Sequence, residues 1–313
     1  MTDPVAAPQQ LARVVFWMTG TLLSFSVMAI SIRTLAGALN IVEILSLRAA
    51  VGVVIVGTVL GLQPQLRHSI SRQRLPLHIL RNTIHFGSQY LWATSLLVLP
   101  LATVFALEFT MPAWTILLAP FFLGERMTTS RIGAVVLGLA GVLVILRPGF
   151  EAFQPAAFLV LAAALGYAIQ IIATKKLTSS ESPFAIVFWM NVVQFVLGAI
   201  GAGPSFVSKL GLSLLPGVLG LGIAGLLAHY CMSNAFRAGD ASLVVPLDFL
   251  RIPLIAVVGW WLYAEPLELY VFAGAGLIIA GIVWNLRNEA SVGVSMRPSI
   301  TPVVVEPTRV ERH

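Results

Sequence analysis

The chain contains ten apolar runs, each about twenty residues long, and runs of that length are suited to crossing a lipid bilayer. They fall at 14–32, 41–62, 77–99, 101–123, 129–146, 156–174, 183–202, 214–235, 241–263 and 267–286. As a helix rising about 1.5 Å per residue, each run spans roughly 30 Å of hydrocarbon. None shows the period-two alternation of a membrane barrel strand. Lipid offers no partner for backbone N–H and C=O groups, so helices are the remaining solution. The expected fold is all-α and integral to the membrane, with gaps too short for a soluble domain.

Composition agrees: 58% of the 313 residues are hydrophobic and only 10% charged, with a mean hydropathy of +0.92. That leaves too little polar surface for a soluble protein of this size. The net charge of +6 would suggest nucleic acid in a soluble protein. Here the basic residues sit between apolar runs, so they report topology and no nucleic-acid partner is expected. With the N-terminus inside, the cytoplasmic segments, counted to include the run ends, hold fourteen Lys and Arg residues, among them Arg13, Arg74, Arg81, Arg126, Lys175 and Arg287. The outside gaps hold only Arg33, Arg147 and Lys209. Both termini are therefore expected in the cytoplasm, in a multi-pass protein of a bacterial inner membrane.

A signal peptide competes for the first run, since Ala36-Gly37-Ala38 looks like a small-residue cleavage site. The run is too long for a signal core and leads directly into another span, so it reads as helix 1. Residues 1–13 read as a cytoplasmic segment. Residues 288–313 read as a disordered tail, being rich in Pro, Arg, Glu and Thr without helical periodicity. A single cysteine, Cys231, excludes an intrachain disulfide, and the five histidines are scattered. Neither a metal nor a cofactor is expected.

The chain also repeats itself. An offset of 140 residues aligns Tyr90 with Tyr230, Leu107-Glu108-Phe109 with Leu247-Asp248-Phe249, Glu125 with Glu265, Gly141 with Gly281 and Arg147 with Arg287. Paired acids and arginines at one constant offset carry more weight than matched leucines. Each half, 14–147 and 148–287, holds five runs. An odd number makes the second half enter the bilayer from the opposite side, so the repeats are expected to be inverted, the architecture of alternating-access carriers.

Pro100-Leu101-Ala102, Glu108-Phe109 with Pro112, Leu123-Gly124-Glu125, Arg131-x-Gly133, Gly141-Val142 and Arg147-Pro148 form a pattern that returns from Pro246 through Glu265 to Gly281-Ile282. It resembles the EamA-type drug/metabolite transporter superfamily across nearly the whole span region. The resemblance implies a ten-helix carrier with a central cavity, moving amino acids, vitamins, nucleoside-like metabolites or drugs. Within that family it is similar to the branch that includes S-adenosylmethionine and riboflavin transporters. Ala264 departs from the glycine the family pattern has before its second glutamate, and Asp248 and Arg251 stand where many members are more apolar.

Charges inside the runs are the candidate site. Counting from the run ends places Arg48, Glu108 and Asp248 roughly 12 Å deep, with Arg251 about one turn further. A charge there costs at least about 2.5–3.5 kcal/mol on insertion scales, so these groups should face a cavity or each other. They read either as a polar substrate site, with acids for amino groups and arginines for carboxylate or phosphate, or as ion pairs between the halves. Glu108 and Asp248 are also the candidates for proton coupling, which a neighbouring arginine would oppose. On helix 3, Asn82, His85 and Gln89 form a polar stripe continued by Trp92, which reads as cavity lining or as packing. His229, with Ser233 and Arg237, offers the equivalent on helix 8. Asn191, Gln194, Gln170, Tyr167, Trp17 and Ser24 are weaker lining candidates.

Pro112, Pro246 and Pro253 each release a helix carbonyl near the buried acids, either to line a wet cavity or as tolerated kinks. Glu125 and Glu265 close helices 4 and 9 at opposite faces, where the helix dipole disfavours an acid. Each is expected to have a local partner, Arg126 or Arg131 for Glu125, and to act as a structural lock or gate. Glycines along helices 5 and 10 suit a scaffold contact or a homodimer face.

The function expected is secondary active transport of a small polar or zwitterionic metabolite, such as an amino acid, S-adenosylmethionine, a vitamin or a drug-like compound, by alternating access. A channel and an intramembrane enzyme are the alternatives. The chain lacks Gly-x-Ser-x-Gly, His-Glu-x-x-His, paired-aspartate and phosphate-loop motifs, which argues against catalysis and against driving by ATP.

Overall fold

The structure is a computed structural model, and it describes residues 6–124, 128–147, 154–177, 180–238, 247–248 and 250–295. Among these there is no strand. The helices are α1 (Ala6–Leu35), α2 (Ile41–Leu62), α3 (Leu75–Ser95), α4 (Leu101–Glu108), α5 (Met111–Leu123), α6 (Thr129–Leu146), α7 (Ala157–Leu177), α8 (Pro183–Ala202), α9 (Leu215–Ala238), α10 (Arg251–Tyr263) and α11 (Leu269–Ser295). Seven helical stretches are long and apolar enough to cross a membrane, and 251–263 and 269–285 are shorter apolar helices. The absentee is α3. At 21 residues it has the length, but its buried polar stripe lowers its hydropathy.

Local chemistry explains the boundaries. Asn40 caps α2 by accepting from the Glu43 N–H while the Glu43 carboxylate accepts from the Asn40 N–H, a reciprocal pair that satisfies two free donors. Thr128 and Ser182 cap α6 and α8 by a single bond each, accepting from the Arg131 and Ala185 N–H groups. The apolar run 101–123 is not one helix. It breaks at Phe109 and Thr110, ahead of Pro112, whose ring has no N–H and would clash with the carbonyl four residues back. The Thr110 N–H turns to the Leu107 carbonyl at 3.1 Å, and 140 residues later the Leu250 N–H turns to the Leu247 carbonyl at 3.1 Å. The helix ends match as well: Gly124 leaves α5 at φ 68° and Ala264 leaves α10 at φ 52°.

Packing pairs the helices crosswise. α1 lies against α9 and α3 against α7, while α2 lies against α8 and α6 against α11. At the last seam the backbones touch: a Cβ on Gly141 would meet the Gly274 carbonyl oxygen at 2.5 Å, and a Cβ on Gly274 would meet that of Gly141 at 2.5 Å. One heptad along, a Cβ on Gly281 would meet the Ala134 carbonyl oxygen at 3.0 Å. These glycines serve close internal packing, the scaffold use of the small-residue stripe. The core centres on α4, where Leu101, Val104, Phe105, Ala106 and Leu107 are fully buried. Large apolar side chains such as Phe16, Phe121, Ile200 and Trp261 face outward while arginines lie inside. That distribution suits lipid as the surrounding solvent.

Candidate functional site

The expected four-charge cluster resolves into two networks. In the first, Arg48 of α2 donates from Nη2 to Gln89 Oε1 at 2.7 Å and to Gln194 Oε1. His85 closes the ring, with Nε2 3.1 Å from Gln89 Nε2 and Nδ1 3.1 Å from Gln194 Nε2. Tyr167 of α7 stands edge-on to His85, ring centroids 5.8 Å apart. Arg48 is buried and its Nε has no partner. Among the described residues its hydrogen-bond partners are neutral amides and no carboxylate is in contact with it.

The second network sits about one helical turn along α3, through Trp92. Trp92 Nε1 donates to Glu108 Oε2 at 2.8 Å, and Glu108 Oε1 lies 3.5 Å from Arg251 Nη1. Arg251 Nη2 also donates to Asp248 Oδ2. The Arg251 guanidinium lies over aromatic faces, 4.0 Å from the Phe25 centroid and 5.1 Å from that of Phe109, contacts that favour a cation in a water-poor site. Asp248 Oδ1 is buried without a partner. Two carboxylates share one guanidinium here. Arg48 in one network and this carboxylate-rich cluster in the other make the interior bipolar.

Other candidates fall differently. Asn191 joins neither ring: its Nδ2 donates to the Val187 carbonyl at 2.9 Å, and its Oδ1 occupies the space where a Cβ of Gly52 would be. Gln194, one turn on, takes the place expected for it. His229 lies in α9 with Ser233 and Arg237, but their side chains are outside the described residues, as are Glu125, Arg126 and Pro246. Pro253 lies in the first turn of α10, where its missing N–H costs little.

Arg81 requires a correction. Counted as a cytoplasmic charge, it is in fact two turns inside α3 and 5% exposed. It donates to Thr174 Oγ1 at 2.8 Å and to Asn82 Oδ1 at 2.6 Å. A helix entered two residues earlier than the apolar run suggests carries it into the bundle.

At the opposite end of α3 sits a latch. Arg33 of α1 donates to the carbonyls of Leu96 and Leu99, both at 2.7 Å, and pairs with Glu265. Glu265 Oε2 accepts the Leu101 N–H at 2.8 Å, and the Arg33 guanidinium lies 4.5 Å over the Tyr263 ring. The partner of Glu265 is thus not local but 232 residues away. At the same end Arg147 pairs with Glu268 at 3.1 Å and Lys209 with Glu43 at 2.7 Å. Arg33 was legible only as a charge near a run end. Nothing in its neighbourhood announces a partner in the other half.

Apolar helices packed around buried charges define a multi-pass membrane protein. Comparison with known proteins assigns the class. The EamA-like transporter family model matches residues 12–147 and again 154–287, so the chain belongs to that family: it is a membrane transporter, not an enzyme. A riboflavin transporter of Rhizobium johnstonii is 32% identical over 199 residues, covering 63% of this chain and 66% of that protein. An S-adenosylmethionine uptake transporter of Rickettsia felis is 27% identical over 223 residues, covering 71% of this chain and 76% of that protein. A solved crystal structure aligns with 90% of this chain and 99% of its own at a TM-score of 0.59 and 20% identity, which makes the fold a shared one.

Proposed function

We propose that the chain is a secondary active carrier of a small polar metabolite, zwitterionic or carrying an anionic group, that works by alternating access between two inverted five-helix repeats, 14–147 and 148–287. The observation that carries this reading is the bipolar interior: a buried Arg48 contacting only neutral partners, one turn from a carboxylate-rich Glu108–Arg251–Asp248 network. A carboxylate or phosphate on the substrate would complete Arg48, and an ammonium or sulfonium group would meet the acid at Asp248 Oδ1. The names of the relatives, riboflavin and S-adenosylmethionine transporters, fit a polar metabolite of this size. His85, Gln89 and Gln194 hold Arg48 and line the anion end; Asn191 and His229 remain further candidates for lining.

Ten crossings in two inverted halves are supported by the crosswise pairing of α1 with α9 and α3 with α7, by the double family match, and by the broken helices at one offset. In this arrangement the termini are cytoplasmic in a bacterial inner membrane, and the Arg33–Glu265 latch closes the outer end. Glu125 is the corresponding gate residue at the inner end, with Pro112, Pro246 and Pro253 flanking the breaks. Glu108 and Asp248 are the proposed proton-coupling groups. The test is counterflow in proteoliposomes over a panel of amino acids, S-adenosylmethionine and flavins. Saturable exchange of one class, lost in Arg48→Gln, is the expected result; unitary currents without counterflow would replace the carrier by a channel. Unchanged pH dependence in both Glu108→Gln and Asp248→Asn would remove proton coupling.

A further inference from the structure

The inner end of α3 holds a second concentration of hydrogen-bond donors that the central site does not use. His78 is fully buried, and neither ring nitrogen has a partner; its ring lies 6.0 Å from that of Trp189 on α8. Asn82 is also fully buried, and while its Oδ1 accepts from Arg81, its Nδ2 donates to nothing. Arg81 itself is 5% exposed. Its partners are Asn82, Thr174 and, once the Gln170 amide is turned to accept, the Gln170 Oε1. Among the described residues no carboxylate pairs with it.

A guanidinium taken out of water retains a demand for negative charge that amides and hydroxyls meet only in part. A neighbouring amide N–H and an imidazole, both buried and unpartnered, add to the same surplus of donors. His78, Arg81 and Asn82 continue into His85 on the buried face of α3 and on to Gln89, so the surplus lies on the polar stripe whose Gln89 holds Arg48. We infer that Arg81, with His78 and Asn82 beside it, forms a second binding site for an anionic group, carboxylate or phosphate, between the central site and the inner face. Resting on the carrier reading, its occupant is the anionic end of the substrate, handed between Arg48 and Arg81 as the inner end opens. Two cations in series along the α3 stripe, Arg81 on it and Arg48 held against it by Gln89, let an anion advance without leaving a guanidinium uncompensated for the whole distance.

The test titrates acetate and inorganic phosphate, at constant ionic strength, into purified full-length protein in nanodiscs. The readout is the emission component of Trp189, isolated as the difference between wild type and Trp189→Phe. A saturable change is expected in wild type and in Arg48→Gln, with apparent affinity at least tenfold weaker in Arg81→Gln and weakened less in Arg81→Lys. Asn82→Asp places a carboxylate on Arg81 with nearly the same shape; it should raise the melting temperature and abolish the anion response, a result that misfolding cannot imitate. A response absent from wild type, kept in Arg81→Gln, or lost with Arg48→Gln alone overturns the inference. Counterflow on the same preparations separates the two readings. Exchange without a Trp189 response removes only the second site, whereas a response without exchange removes only the carrier reading and leaves an anion site.

Discussion

Arg251 and Arg48 belong to networks whose α3 members, Trp92 and Gln89, are about one helical turn apart, and they are treated in opposite ways. Arg251 has two carboxylates and aromatic rings against it; Arg48 has two amide oxygens. The contrast extends to the ends of the bundle. Arg33, Arg147 and Lys209, at the latch end, each have an acid, while Arg81, buried deeper than any of them, has none among the described residues. Burial alone would predict the reverse, since a buried unpaired charge is the costly one. The paired cations are therefore best understood as structural. The two without acids retain a capacity for an incoming anion.

That contrast breaks most sharply at Arg251. Arg251→Met leaves Glu108 and Asp248 facing each other without a cation and should destabilise by about 3–5 kcal/mol, read as a large fall in melting temperature in detergent. Arg48→Gln removes a charge that nothing in contact balances, and should change stability by no more than about 1 kcal/mol while eliminating exchange. Equal losses of stability in the two variants would erase the distinction between them.

An intermediate effect is expected at the latch. Glu265→Gln removes the counter-ion of Arg33 but keeps an acceptor for the Leu101 N–H, and should cost about 1–3 kcal/mol. Because the latch joins the halves, opening it should also expose the centre to the outer side. In a Cys231→Ala background, a cysteine at Gln89 should react with an impermeant thiol reagent from outside much faster when Glu265→Gln is present. An unchanged labelling rate would make the pair a structural lock alone. The smallest change expected is at Ala264, which holds φ 52° where its repeat counterpart is Gly124. Ala264→Gly should stabilise by roughly 1 kcal/mol, the price of a left-handed conformation for an L-residue with a Cβ.

Length and hydropathy made the membrane class readable, because lipid restricts the backbone to so few solutions. Glu108, Asp248 and Arg251 were legible as one region because the 140-residue offset brings the acids to equivalent positions and helical spacing brings Arg251 to Asp248. Their separation from Arg48 was not. Depth in the bilayer is a single coordinate, and two groups at one depth can face different neighbours around the bundle. Gln194 and Tyr167 were underweighted for the same reason: an amide or a phenol in an apolar run looks alike whether it bridges helices or frames a site. Arg81 shows the limit of charge counting, since hydropathy places a run end only to within a turn and that turn decides whether an arginine is at the interface or inside.

The backbone contact of Gly141 with Gly274, flanked by that of Ala134 with Gly281, has a mechanical consequence. A joint made of main chain has no rotamers to exchange, so it cannot absorb a displacement by local rearrangement, and the close approach leaves no room to slide. If the halves tilt against each other they should do so about this seam as a fulcrum, with travel growing along the lever arm toward the latch corner. Spin labels across α6 and α11 beside the seam should report a single distance under turnover, while a pair across the Leu99 and Glu265 corner should report two. Two distances at the seam would move the fulcrum elsewhere.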